Sequence, residues 1–167
     1  MLAQGKHRYY SLDGANVAAA LEALSVLAGA PRTPFVPNTP SRLRAARTCY
    51  DHIAGTLGVS LHDQLAEMGW LAPGEGQGDA YDLTPTGAKA LEILGLDVTA
   101  TRALRRRFAF GCVDWSERRA HLGGAVGAAL LKLALTRRWV VQDLDSRILT
   151  VTALGRREMA ARFRLRI

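Results

Sequence analysis

Residues 49–58 read CYDHIAGTLG, and residues 112–127 read CVDWSERRAHLGGAVG. Both stretches open on Cys-x-Asp, both reach a histidine, and both close on glycines. His52-Ile-Ala-Gly55 stands 69 residues before His121-Leu-Gly-Gly124, and the same interval relates Gly58 to Gly127, Leu61 to Leu130 and Trp70 to Trp139. It shortens to 68 at Thr84 and Thr152 and at Gly87 and Gly155, and to 63 at Cys49 and Cys112. The second copy therefore carries six extra residues between its Cys and its His. Self-similarity at such an interval marks a duplicated structural unit.

Each copy is expected to run helix, helix, strand, turn, strand, helix. In the first, Ser41 caps a helix over RLRAARTCYDHIAGTL, and LHDQLAEMGWL gives a second ending at Gly69. A hairpin follows across PGEGQGD into AYDL, and Thr84 and Pro85 begin the last helix. In the second copy, TRALRRRFAF reads as a basic helix and GGAVGAALLKLALTRR as an apolar one. WVVQDLDSRILTVT is the hairpin and ALGRREMAARF the closing helix. This order, with LTPTG or VTALG ending the hairpin, looks like a winged-helix unit. The expected fold is thus α+β and mostly helical, with two tandem degenerate winged-helix-like units over 41–97 and 98–167 sharing one core. Upstream, residues 31–40 form a linker. Pro31, Pro34, Pro37 and Pro40 recur at the three-residue period of a polyproline II helix. Before it come a short strand over 5–12 and, after Asp13, an apolar helix over 15–28. Val17, Leu21, Leu24 and Ala28 make one stripe of that helix. Glu22 is its only ionisable residue, so the helix must be covered by another part of the chain or by a second copy.

The chemistry-bearing residues lie in the repeated motif. Cys49, Asp51 and His52 are echoed by Cys112, Asp114 and His121. They form a candidate ligand pocket with two residues of each type, and Trp115 stands nearby. Three readings stay open. The set suits a transition metal, it suits an organic or redox ligand, and it also suits a packing motif preserved by duplication, since buried cysteines are common core residues. No Cys-x-x-Cys or His-x₃-His spacing singles out the metal, and no cofactor is firmly implied beyond a metal ion or a small-molecule effector. An enzyme is not expected, because no oxyanion-hole, phosphate-loop or nucleophile-elbow motif accompanies the Cys–His pairs. Trp115 with Arg118 and Arg119 could stack on a flat anion. Asp114 and Glu117 could instead pair with those arginines.

The net charge of +7 fits a nucleic-acid partner and equally a solubilising surface. The stretches that would read and grip DNA argue for the second. SLHDQLAEMG carries Asp63 and Glu67 and no Lys or Arg, and the first wing tip carries Glu75 and Asp79. No apolar run reaches bilayer length, Met1 is followed by a polar segment, and two cysteines make no disulfide framework. A soluble cytoplasmic protein without membrane contact is the expectation.

The start of the chain adds a family. GKHRYYSLDGANVAAALEALSVLA resembles the end of an ArsR/SmtB-type winged-helix transcriptional regulator, whose last wing strand follows a Gly-[Lys/Arg]-x-x-x-Tyr-x-Leu pattern. The repeated motifs look like the C-terminal extension of a long subgroup. The resemblance implies that residues 1–30 close a DNA-binding domain. Lys6, His7, Arg8, Tyr9 and Tyr10 would lie on its wing, and Val17, Leu21, Leu24 and Ala28 in a homodimer interface. DNA would be reached only through an N-terminal helix-turn-helix absent from this sequence. The implied function is dimerisation and effector sensing in a repressor. The alternatives are a stand-alone interaction module that does not bind DNA, or a metal-binding protein in its own right.

Overall fold

The computed structural model describes residues 2–4, 7–9, 17, 38–75, 78–143 and 146–166. The chain divides into two units, Met1–Val36 and Pro37–Ile167. In the first, β1 (Leu2–Gln4) pairs antiparallel with β2 (His7–Tyr9), Ala3 opposite Arg8. Of the wing residues, His7, Arg8 and Tyr9 thus lie on a strand, while Lys6 and Tyr10 lie outside the described residues. Of the apolar stripe, Val17 is helical and 43% exposed, and Leu21, Leu24 and Ala28 are outside the described residues.

The second unit holds both repeats, and each repeats the order helix, hairpin, helix, hairpin, helix. The first consists of α1 (Ser41–Ala45), β3 (Arg47–Cys49), β4 (His52–Ala54), α2 (Gly55–Glu67), β5 (Leu71–Pro73), β6 (Ala80–Leu83) and α3 (Pro85–Ile93). The second consists of α4 (Val98–Arg102), β7 (Ala109–Val113), β8 (Ala120–Gly123), α5 (Gly124–Thr136), β9 (Val140–Gln142), β10 (Leu149–Val151) and α6 (Ala153–Phe163).

This order confirms the α+β class and corrects its mostly helical character: six helices stand beside ten strands among the described residues. The error lies in the repeated motif. The helix expected from Ser41 ends at Ala45, with Pro40 rather than Ser41 at its N-cap, and RTCYDHIA turns back on itself as β3–β4. Tyr50 takes the left-handed conformation (φ 58°) that a two-residue hairpin turn needs. The basic helix expected over TRALRRRFAF likewise stops at Arg102, and Ala109 opens a strand. An added hairpin therefore separates the first two helices of each unit, which is not the winged-helix order.

The hairpins interlock across the repeats. β5-β6-β7-β8 form one antiparallel sheet in which Ala80 and Tyr81 of the first repeat face Phe110 and Ala109 of the second. On the other side β9–β10 meets β3–β4 through the Arg47–Ile148 bridge. Its bonds are Thr48 N–H to the Arg147 carbonyl (2.8 Å) and Leu149 N–H to the Ala46 carbonyl (3.0 Å). The two repeats are thus related by a pseudo-two-fold. α2 packs on β8 and α5 on β4, so each long helix covers the hairpin of the other repeat.

Local chemistry explains the elements that match the sequence reading. Thr84 and Thr152 each accept the backbone N–H three residues on (3.0 and 2.9 Å), capping α3 and α6 alike. Leu57, Leu61 and Leu65 bury one stripe of α2, and Trp70 and Trp139 meet Phe163 edge-on at 6.0 and 6.2 Å in one shared core. Gly55 (φ +77°) and Gly124 (φ +84°) turn each strand into its helix. A Cβ there would lie 2.4 Å from the Arg44 carbonyl oxygen or 2.7 Å from that of Phe108, so only glycine fits.

Candidate metal-ligand site between the repeats

The register of the two inner hairpins places the site. Cys49 lies directly opposite His52 in β3–β4, and Cys112 directly opposite His121 in β7–β8. A Cys and a His that are cross-strand partners project from one face of a hairpin and meet whatever the turn length. The six extra residues of the second copy therefore lengthen the turn and leave the pair intact. Gly58 and Gly127 let the opposite helices lie against these pairs. A Cβ on Gly58 would sit 3.4 Å from the His121 Cβ, and one on Gly127 3.1 Å from the His52 Cβ.

The pseudo-two-fold then brings the two pairs together. The His52 and His121 Nε2 atoms are 3.1 Å apart and the Cys49 and Cys112 Sγ atoms 4.0 Å apart. One donor atom from each of the four residues lies within 4.8 Å of all the others. His52, Cys112 and His121 are buried, and Cys49 is half-buried. The Cys49 thiol is pulled below its ordinary pKa by its hydrogen bond with the Cys112 thiol and by His121 and His52, against the opposing effect of burial. Cys112 is pushed up by that same neighbour and by burial.

The two aspartates of the motif stand outside the four. Asp51 lies 3.2 Å from His52 Nδ1, and Arg106 pairs with it from the surface and depresses its pKa. Asp114 is fully buried, 3.5 Å from His121 Nδ1, a buried nitrogen with no hydrogen bond of its own. Asp114 receives the Gly55 N–H (2.7 Å), Arg47 (2.7 Å), and the Ser116 N–H (2.9 Å) and hydroxyl (2.8 Å). Burial alone would raise its pKa, but the Gly55 amide, Arg47 and Ser116 outweigh it and hold the carboxyl at about 2.

Arg47 is the residue that sequence reasoning missed. It is 1% exposed, crosses from the first repeat to Asp114 of the second, and stacks on Trp115 at 4.2 Å. In the sequence it was one more arginine of a basic run, and no pattern linked it to an acid in the other copy. Trp115 is thus occupied by Arg47. Glu117 pairs with Arg44 and Arg119 with Asp63, rather than the acids of the insertion pairing with its own arginines. Arg102 and Arg107 likewise pair with Asp82 and Asp79 and stack on Phe108 and Phe110. Much of the positive charge is therefore spent on contacts between the repeats.

Among the described residues no helix is long and apolar enough to cross a membrane. An HTH-type transcriptional regulator of Bacillus subtilis (strain 168), YdfF, itself uncharacterized, is 36% identical to this chain over 154 residues, 91% of the chain and 67% of the relative. No family model matches the chain, and no solved structure does.

Proposed function

The chain belongs to the family of HTH-type transcriptional regulators, and on that premise we propose that it is the dimerisation and effector-sensing portion of a repressor of the ArsR type. The observation that carries the reading is the convergence of four reactive side chains, two from each repeat, at one buried point. A ligand held there contacts both repeats at once, so its affinity depends on their arrangement. By linkage, the arrangement then depends on the ligand. Operator contact belongs to the winged-helix domain whose end the first thirty residues resemble, and the apolar segment 15–28, expected from the sequence to be a helix, pairs two copies. The reading includes no catalytic step and places the protein in the cytoplasm with the DNA it controls.

The test uses the regulator as expressed in its own cell. Chromatin immunoprecipitation locates the operator, and a reporter placed behind it reads induction. Serine at both Cys49 and Cys112 is expected to leave repression in place and abolish induction. Unchanged induction overturns the sensing role of this site.

A further inference from the structure

The geometry points to one divalent metal ion of the zinc class, held in a closed tetrahedral site by Cys49, His52, Cys112 and His121. Only the idea that this ion is the effector rests on the sensing role proposed above; the site itself stands on distances and donor chemistry.

The donors are two sulfurs and two imidazole nitrogens, the set that four-coordinate zinc selects over the oxygen ligands that magnesium and calcium require. With metal–sulfur bonds of about 2.3 Å and metal–nitrogen bonds of about 2.0–2.1 Å, a tetrahedron sets its sulfurs about 3.8 Å apart and its nitrogens about 3.3 Å apart. The two pairs stand at 4.0 and 3.1 Å, each within about 0.2 Å of that spacing, and all four donor atoms lie within 4.8 Å of one another. A disulfide makes a different demand. Its sulfurs bond at about 2.05 Å, which requires the same two atoms to close by roughly 2 Å.

The histidines add an independent argument. Each turns its Nε2 toward the centre and its Nδ1 toward a carboxylate, at 3.2 Å for Asp51 and 3.5 Å for Asp114. At His52 the hydrogen bond between Nδ1 and Asp51 orients the ring for ligation through Nε2, while His121 Nδ1 makes no hydrogen bond to Asp114. The two Nε2 atoms face each other 3.1 Å apart, where either one donates a hydrogen bond to the other or both bind a shared ion. Four protein ligands fill the tetrahedron and leave no position for water, so the site holds an ion and does not activate one for hydrolysis.

Zinc content of the full-length protein, purified without a tag and under reducing conditions, is measured first by elemental analysis. One zinc per chain is expected. Replacement by cobalt should give the intense visible bands of four-coordinate cobalt and a near-ultraviolet thiolate charge-transfer band. No stoichiometric zinc or cobalt, or a six-coordinate cobalt spectrum without the thiolate band, overturns the site, and this measurement needs no variant that might fail to fold. Asp51→Asn, at a half-exposed positioning residue, should weaken zinc binding by about 10- to 100-fold in a chelator competition. Equal affinity overturns its role on His52. Metal bound in full while operator affinity is the same with and without it supports the site and removes the ion as effector. Cysteine variants that abolish induction in a protein that never takes up metal keep the sensing role and remove the ion.

Discussion

Asp114→Asn tests the support of the site rather than its ligands. Asp114 is 0% and Arg47 1% exposed, and the carboxylate accepts from Arg47, the Gly55 amide and Ser116 at 2.7–2.9 Å. Asparagine keeps the shape, but it removes the charge and turns an N–H₂ toward groups that are themselves donors. Removing one member of a buried ion pair strands the other charge, which costs roughly 3–5 kcal/mol. The pKa gives a second, independent magnitude. The carboxyl falls from 3.8 to about 2 on folding, and at about 1.4 kcal/mol per unit the ionised form contributes roughly 2–3 kcal/mol. Because the folded value is the depressed one, this contribution is present in full above about pH 4 and lost as pH falls toward 2. Equilibrium urea unfolding of both proteins from pH 7 to pH 3 reads both magnitudes. The variant should be less stable by roughly 3–5 kcal/mol at pH 7, and the gap should begin to narrow below pH 4. A gap under about 1 kcal/mol at pH 7, or one that does not narrow in acid, would refute the claim that this carboxylate is the buried anchor between the repeats.

Three further outcomes follow from particular contacts. Gly55→Ala and Gly124→Ala should each lower stability by about 1–3 kcal/mol in denaturant titrations, since each combines a left-handed φ with a close carbonyl oxygen. Thr84→Ala and Thr152→Ala should each cost about 1 kcal/mol, and similar losses at the two sites would reflect the symmetry of the caps. Zinc bound by the wild-type protein should be released on acidification, because thiolate and neutral imidazole must take protons as they let go. Retention of zinc at pH 4, measured by dialysis and elemental analysis, would argue for a different ligand set.

What the sequence disclosed depended on distance along the chain. The caps at Thr84 and Thr152 and the apolar helices are local, and they were legible from residue type and spacing. The interval of 69 residues announced the duplication, and the paired Cys, Asp and His announced a site. The inner hairpins were not legible. Strands of three to five residues carry little periodicity, and the alanines and leucine around Cys49 suit a helix as well as a strand; sheet pairing with the other repeat decides between them. Arg47 was hidden for a related reason. An arginine is ordinarily a surface residue, and only a partner 67 residues away makes its burial tolerable. The division of roles within the motif was hidden as well. Spacing alone could not separate the Cys and His that face inward from the Asp residues behind them, because that depends on which residues are partners across each hairpin.

The duplication also explains why the site lies where it does. In a pseudo-two-fold arrangement, a residue near the axis meets its own counterpart, so one motif copied once supplies two of each donor at a single point. His52 meets His121 and Cys49 meets Cys112 for that reason. The same symmetry sets each long helix against the other repeat's hairpin, with Gly58 beside His121 and Gly127 beside His52. An added Cβ at either glycine would first meet a backbone carbonyl oxygen, that of Ile53 at 2.4 Å or of Leu122 at 2.3 Å, with the histidine Cβ atoms further off at 3.4 and 3.1 Å. A shift of a few tenths of an ångström in either hairpin therefore has to be taken up by α2 or α5, because close-packed interiors transmit displacement rather than absorb it. A ligand bonded to both hairpins would act where the two repeats meet. Small residues on the helices, which contribute no donor to the site, connect that point to the rest of the fold.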